Sequence, residues 1–163
     1  MDREIRVRLL RALIASRVIV LDGGMGTSIQ DLELNADDFG GAEYEGCNEF
    51  LSITNPNAIR GIHRSFLEAG ADVIESNSFG STPLVLTEYG LADRALEISE
   101  AAASIARECA NEYSTDGAPR FVAGSMGPTT KAISVTGGVT WDDLAEHYRL
   151  QAVGLINGGA DLL

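Results

Sequence analysis

Apolar positions along this chain alternate between short continuous runs and stripes at helical spacing. Ile5, Leu9, Leu10, Leu13 and Ile14 recur at helical intervals among five arginines in the first seventeen residues, which predicts a surface helix leading into a first strand. An Arg-rich amphipathic opening also fits a transit peptide, but Asp2 and Glu4 count against that reading. Arg17-Val-Ile-Val-Leu-Asp22 is a β-branched apolar run closed by Gly23-Gly24-Met25-Gly26-Thr27, and it reads as a buried parallel strand ending in a glycine loop. From Gln30 to Ile53 the chain is polar and acidic with no sustained period, so a long loop with room for a short helix is expected. Asn55-Pro56 then opens a helix with Ile59, Ile62, Phe66 and Leu67 on one face, and Gly70 stops it.

Ala71-Asp72-Val73-Ile74 enters a second strand that ends in Glu75-Ser76-Asn77-Ser78-Phe79-Gly80. Leu91, Ala95, Ile98, Ala102, Ile105 and Cys109 form the clearest amphipathic helix of the chain. A third strand, Arg120 to Ala123, runs into Gly124-Ser125-Met126-Gly127-Pro128. Thr140 with Asp143 reads as a capping box, opening a helix through Leu144, Tyr148, Ala152, Leu155 and Ile156 that Gly158-Gly159 ends. Ala160-Asp161-Leu162-Leu163 starts a fourth strand. Strand and helix in alternation imply a parallel sheet with helices outside it.

Two folds satisfy that order, an open doubly wound sheet and a barrel. An internal echo favours the barrel: Glu68-Ala-Gly-Ala-Asp72 matches Asn157-Gly-Gly-Ala-Asp161, and Val20-Leu-Asp-Gly-Gly-Met-Gly26 resembles Val122-Ala-Gly-Ser-Met-Gly127. The expected architecture is α/β, the N-terminal half of a (βα)8 TIM barrel, with about four parallel strands and outer helices spanning residues 1–163. A complete barrel typically needs ~250 residues. The apolar ending predicts a longer parent chain and open edges at strands one and four, with exposed apolar surface there.

Composition narrows the chemistry. Twenty-four acidic and twelve basic residues give a formal charge of −12, so no general attraction for phosphate backbones exists and nucleic acid is excluded as a partner. No apolar run approaches the ~18 residues that cross a membrane. Two cysteines sixty-odd residues apart form no disulfide framework, which points to a reducing cytoplasm.

Groups at the C-terminal ends of parallel barrel strands point into the mouth, which selects Asp22, Gly23, Gly24, Glu75, Ser76, Asn77 and Ser125 as candidates. A carboxylate at Asp22 suits a substrate ammonium, and glycine N–H groups suit a carboxylate, so together they suit an amino acid. The plainer alternative is that Asp22 caps its glycine turn and that Ser76 and Asn77 satisfy loop backbone. Asp-Gly-Gly-Met-Gly-Thr lacks the Gly-Lys-Ser/Thr of a phosphate loop and does not fit Gly-x-Gly-x-x-Gly. Cys47 sits in a polar loop without a Cys-x-x-Cys partner, and no metal site is expected. Cys109 lies on an apolar stripe, His63 beside one, His147 on an exposed flank, and Trp141 reads as a packing anchor.

Val18-Ile-Val-Leu-Asp-Gly-Gly-Met-Gly-Thr27, Gly46-Cys-Asn-Glu-Phe-Leu-Ser-Ile-Thr-Asn-Pro56, Ile62-His63, Glu68-Ala-Gly-Ala-Asp-Val-Ile-Glu-Ser-Asn-Ser-Phe79 and Phe121-Val-Ala-Gly-Ser-Met-Gly-Pro128 together resemble the zinc-dependent homocysteine S-methyltransferases. They resemble the homocysteine-binding module of the cobalamin-dependent methionine synthases more than the betaine-dependent or S-methylmethionine-type enzymes. The resemblance implies a (βα)8 barrel in which three cysteines hold zinc and the homocysteine thiol completes a tetrahedral site. Methylcobalamin, recharged from methyltetrahydrofolate, then supplies the methyl group from following modules. It further implies substrate-binding roles for Asp22, Gly23, Gly24, Ser76 and Asn77, Ser76 standing where the family has threonine. The family's zinc cysteines have no counterpart here, so the resemblance implies no catalytic or metal residue in this chain and no activity for it alone. The competing expectation is a non-catalytic half-barrel that assembles with a second half.

Overall fold

The computed structural model describes every residue except Thr136. Its helices and strands run in the order α1 (Arg3–Ser16), α2 (Met25–Asp31), α3 (Leu51–Thr54), α4 (Pro56–Glu68), β1 (Val73–Glu75), α5 (Pro83–Leu86), α6 (Ala95–Tyr113), β2 (Phe121–Ala123) and α7 (Trp141–Asn157). β1 and β2 pair in parallel, Val73 with Phe121, Ile74 with Val122 and Glu75 with Ala123. Side chains on paired strands alternate between two faces. Val73, Phe121 and Ala123 pack with Leu10 of α1, whereas Ile74 and Val122 pack with Leu67, Ala103, Ala106 and Leu155 of the outer helices.

The sheet is smaller than the expected four strands. Leu21 joins Val73 through a single parallel bridge, and Leu162 joins Ala123 through another. All four segments therefore lie side by side in chain order, but a ladder forms only where a segment has neighbours on both edges. The expectation that Arg17 to Asp22 is buried fails with it: Val18 is 82% exposed, and Val20 and Leu21 are each 52% exposed. A groove of about 570 Å3, lined by Leu10, Ile14, Val18, Ile19, Leu21 and Leu162, opens along this apolar edge.

Local signals place the helices. The Asp2 side chain caps α1 and that of Asn55 accepts from the Ala58 N–H at the start of α4, while Gly70 follows α4 with φ of 104°. The Thr140–Asp143 capping box forms as expected. Gln30 to Ile53, expected as a long loop with room for a short helix, folds into 3-10 turns at Ala42–Tyr44 and Asn48–Phe50 and runs into the short helix α3. Phe39, Phe50 and Leu51 are buried beneath them, held by contacts with α4 and α6 that no local period announces. Trp141 is 75% exposed and anchors nothing, because it occupies the first turn of α7 beyond the core.

The inward face of α7 differs from the expected one. Gly154 and Gly158 face α6, where an added Cβ would stand 2.6 Å from the Leu96 carbonyl oxygen and 2.3 Å from that of Glu100. This close approach buries Gln151, Gly154 and Leu155 and leaves Ile156 exposed. Among the described residues no helix is long and apolar enough to cross a membrane.

The sequence echo corresponds to a repeated device at the N-terminal ends of the strands. The Asp72 N–H donates to the Val20 carbonyl at 2.8 Å, and its carboxylate accepts from the Val20 N–H at 3.0 Å. Asp161 repeats both bonds with Val122, at 2.8 and 3.0 Å. Each carboxylate also meets two arginines. Arg17 forms a two-pronged pair with Asp72 at 2.8 Å and Arg120 lies at 3.5 Å, while Arg6 and Arg107 reach Asp161 at 2.6 and 2.8 Å. The Arg17 hydrogen bond is the main cause holding the Asp72 carboxyl below its ordinary pKa.

The Asp161 side chain is fully buried, so removing its charge leaves the largely buried Arg107 guanidinium without compensation. Asp161→Asn is expected to lower unfolding free energy by about 3–5 kcal/mol. Asp72→Asn should lower it less, since Arg17 is 42% exposed and water takes over part of its pairing. Urea titration of both variants checks this, and a loss below about 1 kcal/mol for Asp161→Asn would contradict it.

Candidate functional site

The C-terminal ends of the strands gather the polar residues expected at the mouth. Asp22 follows the Leu21 bridge, and its Oδ1 accepts from the Glu75 N–H at 2.9 Å. Burial pushes the Asp22 carboxyl up to about 7; the Glu75 N–H works against that rise and the nearby Glu75 carboxylate adds to it. Two carboxylates thus lie together at the end of the first two strand segments. The Glu75 Oε2 accepts from the Ser125 hydroxyl at 2.9 Å, which ties the loop after β1 to the loop after β2.

Ser76 and Ser78 complete that tie. The Ser125 N–H donates to the Ser76 Oγ at 3.1 Å, and the Ser78 hydroxyl donates to the Ser125 carbonyl at 2.8 Å. With the Ser78 proton used in this way, the 2.7 Å contact between the two serines has Ser76 as donor. Asn77 donates its amide to the Asn48 carbonyl at 2.7 Å. Ser76, Asn77 and Ser78 are all buried. Their bonds match the plainer alternative, in which these side chains satisfy loop backbone and shape the mouth.

A cleft of about 450 Å3 opens at this end, and its walls include Gly24, Thr27, Glu49, Glu75, Asn77 and Phe79. Ser76 and Ser125 also line it, whereas Asp22 and Gly23 stand outside the walls, joined to them through the Asp22–Glu75 bond. Gly23 is exposed and an added Cβ there would meet nothing within 4 Å, so its backbone faces open space. Gly24, with φ of 66°, precedes α2. Phe79 is 57% exposed, and its ring occupies the space where a Cβ on Gly127 would stand, 2.5 Å from ring carbons.

Sequence reasoning missed three residues that shape this mouth. The Glu49 Oε1 accepts from the Gly80 N–H at 2.8 Å, and Tyr148 and Gln151 of α7 bond the same loops. Gln151 carries a readable signal, a polar residue three positions after Tyr148 and four before Leu155 on the helix stripe.

The remaining candidates lie elsewhere. Cys47, expected in a polar loop, is 1% exposed and packs with Phe50, Leu86 and Ile98; burial pushes its thiol up to about 11. Cys109 is buried in a separate apolar cluster, as its stripe implies. His63 is buried with no hydrogen-bond partner at either ring nitrogen, and burial holds its pKa down at about 4. His147 is half-buried rather than exposed. Among the described residues no group of three or more His, Cys, Asp or Glu side chains is placed to hold a metal ion.

Residues 19–163 match the family model described as homocysteine S-methyltransferase. The chain is 44% identical over 148 residues to a methionine synthase of Mycobacterium leprae (strain TN), a match covering 91% of this chain and 12% of that protein. It is 41% identical over 162 residues to a methionine synthase of Mycobacterium tuberculosis (strain ATCC 25618 / H37Rv), covering 99% of this chain and 13% of that protein. The oxidized form of the homocysteine methyltransferase MmuM from Escherichia coli shares the fold, with a TM-score of 0.74 at 24% identity. That match covers 94% of this chain and 55% of MmuM. The chain therefore spans 12–13% of the length of these methionine synthases.

Ser76→Ala removes the acceptor of the Ser125 N–H and the donor to Ser78 in a buried setting. The expected cost is about 1–3 kcal/mol of unfolding free energy, the range for a buried polar group left unpaired. Chemical denaturation measures it, and a change under about 0.5 kcal/mol would mean that the Ser76 hydroxyl is not held by this loop tie.

Proposed function

Because the chain belongs to the homocysteine S-methyltransferase family, we propose that residues 1–163 form the homocysteine-binding first half of a (βα)8 barrel in a methionine synthase. Identity of 41–44% to two methionine synthases supports that branch. In the whole protein, a methyl group passes to the thiol of homocysteine to give methionine. Methylcobalamin and methyltetrahydrofolate serve through other modules of that protein, in the cytoplasm.

The observation that carries the reading is the Asp22–Glu75 pair at the mouth. Homocysteine presents an ammonium and a carboxylate on one carbon. Asp22, with Glu75 beside it, takes the ammonium. Gly23 and Gly24 offer backbone N–H groups to the carboxylate, and the open space over Gly23 admits it. Ser76 and Asn77 belong to the site as residues that hold its wall. The described residues do not fit zinc: Cys47 and Cys109 lie in separate apolar clusters with raised thiol pKa values. The part assigned to this chain is thus binding and orienting the amino-acid end of homocysteine, with zinc held by ligands outside it.

A second reading, a non-catalytic half-barrel that pairs with another half, draws support from the apolar groove beside Val18 and Leu21. Homocysteine binding separates the two, since assembly alone requires none.

Asp22 sets the pH dependence. With its carboxyl at about 7, half of the free sites are protonated near pH 7, and an ammonium ligand favours the ionised form. Homocysteine affinity should rise as pH increases from 5 to 7, by up to about tenfold per unit, and then level off. Asp22→Asn keeps size and turn-forming ability but removes the charge. It should cut affinity by roughly ten- to a hundredfold at pH 7.5, about 1.5–3 kcal/mol, and abolish the rise with pH. Calorimetric titration reads both, and unaltered affinity in the variant would leave Asp22 as a turn residue only.

A further inference from the structure

One face of α7 reaches both loops of the mouth. The Tyr148 hydroxyl donates to the Gly127 carbonyl, in the loop after β2, at 2.8 Å. Three residues on, the Gln151 Nε2 donates to the Ser78 carbonyl at 2.7 Å and to the Ser81 hydroxyl at 3.1 Å, both in the loop after β1. Residues three apart on a helix share a face, so the two side chains act side by side. The loops are joined directly between these two points, where the Gly127 N–H donates to the Phe79 carbonyl at 2.8 Å.

Gln151 is fully buried, as are Ser78 and Ser81. Its Oε1 has no hydrogen-bond partner. An unpaired buried carbonyl is costly, and a methionine of similar shape would fill the site without that cost. What glutamine adds is the pair of Nε2 bonds to the β1 loop. The helix carrying both residues is itself fixed, since Gly154 and Gly158 seat it directly on the backbone of α6.

We infer that Tyr148 and Gln151 are positioning residues, through which α7 holds the loops after β1 and β2 at the separation that keeps Glu75 against Ser125. Neither residue lines the cleft, so each acts through the loop it holds. Tyr148 fixes the Gly124–Pro128 segment that presents the Ser125 hydroxyl. Gln151 fixes the Ser78–Ser81 turn, and through Ser78 the Ser125 carbonyl. Loosening either contact frees the Glu75 carboxylate to turn away from Asp22. The effect on ligand rests on the homocysteine reading; the effect on the loops does not.

The test is amide hydrogen exchange on the full chain, comparing wild type with Tyr148→Phe and Gln151→Met, alongside homocysteine titration. Tyr148→Phe removes one oxygen from a half-buried side chain and keeps the fold, so it decides the matter if Gln151→Met unfolds. The expected result is exchange at the Ser125 and Gly127 N–H groups at least tenfold faster, with the Ile74 and Val122 amides changing by less than threefold. The homocysteine dissociation constant should rise about three- to tenfold, ten corresponding to ~1.4 kcal/mol. Exchange at Ser125 and Gly127 that is unchanged, or that rises only in step with Ile74 and Val122, would overturn the inference. Wild type that fails to bind homocysteine would instead overturn the proposed function, while the exchange comparison still decides the role of α7.

Discussion

A carboxylate buried at the start of a strand, accepting the N–H of the preceding strand, is the constraint on which the rest of this structure depends. Asp72 does this for Val20, and Asp161 does it for Val122. Each fixes the register of an odd segment against the even one that follows. The outer segments have only one bridge apiece, and these pins add to the few backbone hydrogen bonds that hold them in line. The arginines that neutralise the pins come from α1, α6 and the approaches to the strands, and α1 is thereby fastened across the N-terminal end of the sheet.

Fixing one end leaves the other for chemistry. Parallel barrel-type sheets place stabilising contacts at the N-terminal ends of their strands and functional groups at the C-terminal ends. Here the ionic contacts at the lower end are satisfied, whereas the upper end keeps Asp22 with a pKa raised to about 7 beside a second carboxylate. The serine tie and the α7 contacts hold the upper loops around these two carboxylates.

Local signals in the sequence were legible wherever one residue type decides the geometry. Asn55-Pro56, the Thr140–Asp143 box and Gly70 each mark an element that forms as read, and the stripe from Leu91 to Cys109 marks a helix that begins only at Ala95, after a 3-10 turn. The Asp72 and Asp161 echo was visible as a repeat, but its meaning was not, because its arginines lie up to 155 residues away. Separation in sequence also hid the burial of Cys47, which packs against Leu86, Leu91 and Ile98 of later elements. Gln30 to Ile53 lacked a period since its apolar residues are placed by irregular turns, packing on α4 and α6 as well as on one another, as the Tyr44 ring does on Phe50. At the mouth, the residue types pointed to Asp22, Gly23, Gly24, Glu75, Ser76, Asn77 and Ser125. Only the folded chain brings the Asp22 and Glu75 carboxylates together and shows Ser76 and Asn77 bonded to backbone.

The proposed function puts homocysteine at the C-terminal ends of the strands, opposite the Asp72 and Asp161 pins. The most direct measurement is 15N chemical-shift mapping of the whole chain during homocysteine titration at pH 7.5. The account predicts saturable shifts centred on the amides of Gly23, Gly24, Glu75 and Ser76, with Asp72, Val122 and Asp161 unmoved. Shifts centred on the pinned end or on the apolar groove beside Leu10 and Leu162, or none at saturating ligand, would contradict it.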